Sequence, residues 1–118
     1  MRRSVYIREN ALEREVPIII HPPRPVLGGW ECHYDIGWPS NPRSGRIVAY
    51  DEIQAMLYAI QNIGIDLYAS RYHAEGRLRW VEGVEGYGFP LPRGGRDIMV
   101  GIDEDEFGDG PKAYPEVT

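Results

Sequence analysis

One stretch constrains this chain more than any other: Asp51 to Ser70, DEIQAMLYAIQNIGIDLYAS, the only long run with a helical period. Ile53, Met56, Leu57, Ile60, Ile63 and Leu67 recur at the i, i+3, i+4, i+7 spacing that gathers apolar side chains on one helix face. Glu52, Gln61, Asn62 and Asp66 fall largely away from that stripe. Asp51 is placed to cap the first turn, because its carboxylate can accept amide hydrogens that have no partner inside the helix. Gln54, three residues on, can bond back in the manner of a capping box. Arg71 suits the negative pole at the far end. Gly64 interrupts the pattern at a cost of about 1 kcal/mol against alanine. Either the helix stops there or another backbone comes close. The apolar residues Leu67 and Tyr68 beyond it favour close approach. Such a helix cannot cover its own stripe, so the rest of the chain must supply a second layer.

That layer reads as short strands. Ser4 to Leu12 alternates in part and predicts a first strand, followed by a charged turn over Glu13 to Glu15. Val16 to Ile20 predicts a second, with Pro17 marking an edge or a strand start and Pro22, Pro23 and Pro25 ending it. Trp30 to Ile36 has the cleanest alternation, with Trp30, Cys32, Tyr34 and Ile36 on one face and Glu31, His33 and Asp35 on the other. Arg46 to Tyr50 predicts a fourth strand that runs into the Asp51 cap. After the helix, Arg77 to Val81 predicts a fifth, and Asp97 to Ile102 a short last one. The expected fold is α+β: a two-layer sandwich in which one long helix covers an antiparallel sheet of four to five strands, in the order β-β-β-β-α-β. The sheet face bearing Cys32, Tyr34 and Ile36 should meet the helix.

Length and charge bound the rest. The 118 residues suit one domain. Residues 1–100 carry 12 basic and 12 acidic side chains, while residues 101–118 hold six acids and one base. All of the net charge of −5 therefore lies at the C-terminal end. We expect one α+β domain over residues 1–102 and an acidic, disordered tail over 103–118. A neutral body with an acidic tail argues against nucleic-acid binding, which needs a basic footprint. The longest aliphatic run, Ile18 to Ile20, is too short to span a bilayer, so no membrane is expected as a partner. One cysteine rules out an intrachain disulfide framework, and no apolar run follows the N-terminal arginines. The expected location is cytoplasmic.

The chemical motifs are weak. Glu31, His33 and Asp35 share a strand face that His21 could join, a permissive set for metal binding or acid–base work but equally a solvated polar face. Cys32 and His33 are neighbours in a strand and point to opposite faces, so they cannot act as a nucleophile and base. Read as a calcium loop from Asp105, the tail has Phe107 where an oxygen ligand belongs. No glycine cluster lies between a strand and a helix as a phosphate loop must. Arg71, Tyr72, Arg77, Arg79, Trp80, Tyr87 and Phe89 crowd into nineteen positions, and Trp30 and Trp38 sit beside turns. Aromatics and arginines are enriched where proteins bind proteins, although a small core under the helix end would use the same residues.

Trp30-Glu31-Cys32-His33-Tyr34, Leu67 to Ser70 (L-Y-A-S), Leu78 to Trp80 (L-R-W) and Gly88 to Pro90 (G-F-P) resemble the pattern of a family of small uncharacterised bacterial proteins, a domain of unknown function. The resemblance covers about residues 4–92 and carries no catalytic residues. It implies that Trp80 and Gly88-Phe89-Pro90 pack against the helix end. The function expected first is a non-catalytic protein-binding domain, immunity-type or another interaction protein. Its binding surface would include Trp38, Arg71, Tyr72, Arg79 and Tyr87. The alternative is a small-ligand or metal-binding domain, with an enzyme as one form of it, using His21, His33 and Asp35. A third is self-association as a dimer through a sheet edge or the tryptophan patch. No cofactor is expected.

Overall fold

The computed structural model describes residues 1–108, the side chains of Arg93, Arg96 and Asp97 excepted. Strands β1 (Arg2–Glu9) and β2 (Leu12–Ile20) form a hairpin in full antiparallel register, Arg2 opposite Ile19 and Glu9 opposite Leu12. The turn is Asn10-Ala11, with Asn10 at φ 57, a left-handed conformation that asparagine tolerates. Glu13 to Glu15 are thus strand residues and not the expected turn. Pro17 is accommodated because β2 gains its second neighbour only from Ile18 onward.

Strand β3 (Arg24–Val26), hidden in sequence by Pro25 and the two prolines before it, pairs with the start of β4 (Gly29–Ile36), while Ile18 to Ile20 of β2 pair with its end. The other edge of β4 pairs with β5 (Arg43–Ala49) from Trp30 to Ile36. Helices α1 (Glu52–Tyr68) and α2 (Arg71–Ala74) follow, then a two-residue strand β6 (Leu78–Arg79) that pairs with β1. The chain continues through a 3-10 helix (Arg93–Ile98) into α3 (Gly101–Phe107). The result is an antiparallel sheet with helices packed on it, a compact α+β fold.

As the alternation demands, Val5, Ile7, Val16, Ile18, Ile20, Cys32, Tyr34 and Ile36 all face the core. Helix α1 packs on β4 and β5. The Asp51 carboxylate accepts from the Gln54 amide at 2.8 Å, and Gln54 Oε1 accepts from the Tyr50 amide at 2.9 Å, one residue before the cap. Beyond Tyr68 the helix ends at Ala69, so α1 is shorter than the 51–70 stretch suggests. The Ser70 hydroxyl then caps α2, and Arg71 belongs to that second helix.

The buried face of α1 is turned from the expected stripe. Ala55, Ala59, Ile63, Gly64, Leu67 and Tyr68 are buried, whereas Ile53 and Leu57 are 78% and 48% exposed. Small Ala55 and Ala59 bring the helix axis close to the sheet, which rotates Ile53 and Leu57 outward. At Gly64 the 88–91 segment crosses the helix, and a Cβ there would overlap the Pro90 carbonyl oxygen. The expected close approach is therefore made by the chain's own backbone.

One expectation near the C-terminus is corrected: residues 97–102 form no strand. Asp103, the first residue of the expected tail, is fully buried within α3, which runs to Phe107. The remainder of the expected tail, 109–118, lies outside the described residues.

Candidate functional site

The open face of β4 places Glu31, His33 and Asp35 side by side, as their spacing requires. Arg24 Nε donates to Glu31 Oε1 at 2.8 Å, and Arg46 Nε donates to Glu31 Oε2. His33 Nε2 lies 3.0 Å from Glu31 Oε1 without the geometry of a hydrogen bond. Arg46, then Arg24 and His33, hold the Glu31 carboxyl down at about 2. His21 pairs instead with Asp35, Nε2 to Oδ2 at 2.7 Å, and Ser44 Oγ donates to the other Asp35 oxygen at 2.6 Å. Those two bonds lower the Asp35 carboxyl. The two imidazoles are thus held by different carboxylates. Among the described residues, no three His, Cys, Asp or Glu side chains are grouped to hold a metal. Cys32 is buried on the opposite face, and burial raises its thiol.

The five residues expected to form a binding surface fall into two places. Trp38 stacks on Tyr72 with ring centroids 5.3 Å apart, and the Arg71 guanidinium lies 5.0 Å from the Tyr72 ring. These three line an open cavity of about 370 Å³ with Ser40 and Asn41. Arg79 and Tyr87 line a different cavity, of about 470 Å³, with His73 and Glu85. Arg79 is paired with Glu13 and lies 5.0 Å from the Tyr6 ring, and Tyr87 is buried.

Behind that second cavity lies a polar cluster missed in the sequence. Asp103 accepts from Tyr68 Oη at 2.6 Å, the Tyr87 amide at 2.9 Å and the Gly88 amide at 2.5 Å. Tyr68 Oη in turn accepts from the Val100 amide at 3.1 Å, and the Tyr87 hydroxyl bonds His73 Nδ1. Burial, with Asp103 adding to it, raises both phenols, and burial lowers His73. All three are therefore neutral at pH 7. With both Asp103 oxygens occupied, the cluster acts as a clasp joining α1, the 87–88 segment and α3. Val100, Asp103 and Phe107, at i, i+3 and i+7, carry the helical period that could have revealed α3 inside the acidic run.

The remaining feature is apolar. Ile53, Met56, Leu57 and Ile60 occupy one side of the first half of α1 and, with Pro23, line an open cavity of about 240 Å³. Met56 and Ile60 also border a second cavity of about 310 Å³, whose other walls include Arg3, Ile18, Ile20 and Phe89. The two adjoin at Met56 and Ile60 and together form the groove along this side of α1. On the second half of α1, the same side is closed by Phe89 to Leu91 crossing at Gly64. No helix among the described residues is long and apolar enough to cross a membrane, so this groove is not part of such a span.

No curated protein and no solved structure matches the chain. Residues 1–91, which carry the whole sheet, α1 and the segment that closes over Gly64, match the model of a domain of unknown function, DUF6968, and the chain belongs to that family.

Proposed function

We propose that this protein is a non-catalytic protein-binding domain that contacts its partner through the uncovered first half of α1. One observation carries the reading: a continuous apolar stripe is closed at its C-terminal half by the chain itself and left open at its N-terminal half, where Ile53 is 78% exposed. A contiguous apolar surface of this kind, at helical spacing, suits the docking of another protein. The pairing of His21 and His33 with separate carboxylates also favours binding over catalysis. The aromatic step of Trp38 and Tyr72 beside Arg71 offers a second contact region. An immunity-type partner, one that blocks a toxin, is the form suggested by small size and acidic balance.

The test uses the protein as bait in lysate of its native host, beside an Ile53→Asp/Leu57→Asp double variant. Both positions are exposed, so the variant should melt within a few degrees of the parent. The expected result is a stoichiometric partner on the parent that is lost from the variant. The same proteins on both baits, or no stoichiometric partner on the parent, would refute the assignment.

A further inference from the structure

We infer that the 310 Å³ end of the groove is a binding site for a small amphiphile, a carboxylate bearing an unbranched apolar chain, with Arg3 as its anion anchor. Among the described arginines, Arg3, Arg8 and Arg71 have no carboxylate partner, and of these only Arg3 is partly buried. It sits on the core side of β1, where Val5 and Ile7 set the pattern and a charge is out of place. Its Nη1 donates to the Tyr87 and Gly88 carbonyl oxygens at 3.1 and 2.9 Å. Its central carbon lies 4.2 Å from the Trp80 ring and 4.7 Å from the Phe89 ring. Nε and Nη2 make no hydrogen bond to a described residue. The one acid close enough to influence it is Asp103, whose oxygens are already taken by Tyr68, Tyr87 and Gly88.

A guanidinium fixed in this way holds one edge free, and that edge matches the two oxygens of a carboxylate. Ile18, Ile20, Met56, Ile60 and Phe89 offer an apolar chain contact, and Met1, Arg2 and Gly88 complete the wall. Of the other cations there, Arg2 is paired with Glu15 and the Met1 ammonium donates to the Ile20 carbonyl oxygen. The cavity is itself open to the surface and shares Met56 and Ile60 with the neighbouring cavity along α1. Its size lies at the lower end of the range for small-molecule sites. This site shares Met56 and Ile60 with the proposed protein-contact face, but its anchor, Arg3, plays no part in that reading, so Arg3→Gln tests it separately from Ile53 and Leu57.

The experiment titrates decanoate, and separately decan-1-ol, into the full chain below their aggregation limits. Binding is followed by calorimetry and by tryptophan fluorescence, for which Trp80 is a local reporter. Saturable 1:1 binding of decanoate is expected, at least about tenfold tighter than decan-1-ol, as a charge-assisted bond requires. Arg3→Gln should abolish that preference. Because Arg3 also packs against Trp80 and Phe89, a second variant, Met56→Trp, fills the cavity from the other side and should weaken both ligands. No saturable decanoate binding, equal affinity for the alcohol, or unaltered binding to Met56→Trp would each overturn the proposal.

Discussion

Glu31 sits on the face that alternation assigns to water, yet only 4% of it is exposed. Arg24, Arg46 and His33 close over it. The strand period made the face legible, because successive side chains must alternate. The enclosure was not legible, because Arg24 comes from β3, which Pro25 and the preceding Pro22 and Pro23 disguised. The shift on Glu31 has a definite sign. Its folded value, about 2, lies below the ordinary 4.5, so the unfolded chain takes up the proton first as pH falls. The stabilisation is complete above pH 4.5 and is lost progressively toward pH 2. Urea midpoints measured across that window should fall steeply for the parent and less steeply for Glu31→Gln. Some slope should remain, because the Glu13, Glu15 and Asp35 carboxyls are lowered as well. Identical slopes for the two proteins would contradict this account.

In the main helix, propensity and packing disagree at one position. Gly64→Ala would gain up to about 1 kcal/mol of helix propensity. The added methyl, however, meets the Pro90 carbonyl, a backbone group that no side-chain rotation can remove. Overpacking of this kind costs about 1–3 kcal/mol, so packing should win. Denaturant unfolding should show Gly64→Ala less stable than the parent, and a stabilised variant would mean that the 88–91 segment is free to move away. The cap at Asp51 and the register of Trp30 to Ile36 were readable because they depend on local chemistry. The facing of α1 was not, since six large apolar residues point to one stripe while the sheet selects Ala55 and Ala59. The same choice leaves Ile53 and Leu57 outside, so the proposed contact surface became visible only with the packing. The two cavities that receive Trp38, Arg71 and Tyr72 on one side and Arg79 and Tyr87 on the other were equally hidden, because separation in sequence does not encode which loop meets which.

For the molecule as a whole, the α3 segment is structural. Asp103 lies beyond residues 1–91 that match the family model, yet it ties α3 to α1 and to the Tyr87-Gly88 segment. A chain ended after Ile102 would leave Tyr68 Oη, the buried Tyr87 amide and the partly buried Gly88 amide without their acceptor. At about 1–3 kcal/mol for each unsatisfied group, the loss should reach about 3 kcal/mol or more. A chain ended after Gly108 keeps the clasp and should melt well above the chain ended after Ile102. Equal melting temperatures for the two truncations would show that the clasp contributes nothing. The net-charge map placed this segment in a tail, because composition registers the acids and not the one among them that turns inward.

Strand β1 has β2 on one edge and, on the other, β6, which arrives from residues 78–79. During synthesis the first neighbour emerges at once and the second only after roughly seventy further residues. At about 5–20 residues per second, β1 spends roughly 4–14 s with one edge open while the ribosome catches up. An open, regular edge invites pairing with strands of other nascent chains. The arginines at positions 2, 3 and 8 lie along that strand, so the nascent hairpin carries its own charged guard until Leu78 and Arg79 arrive.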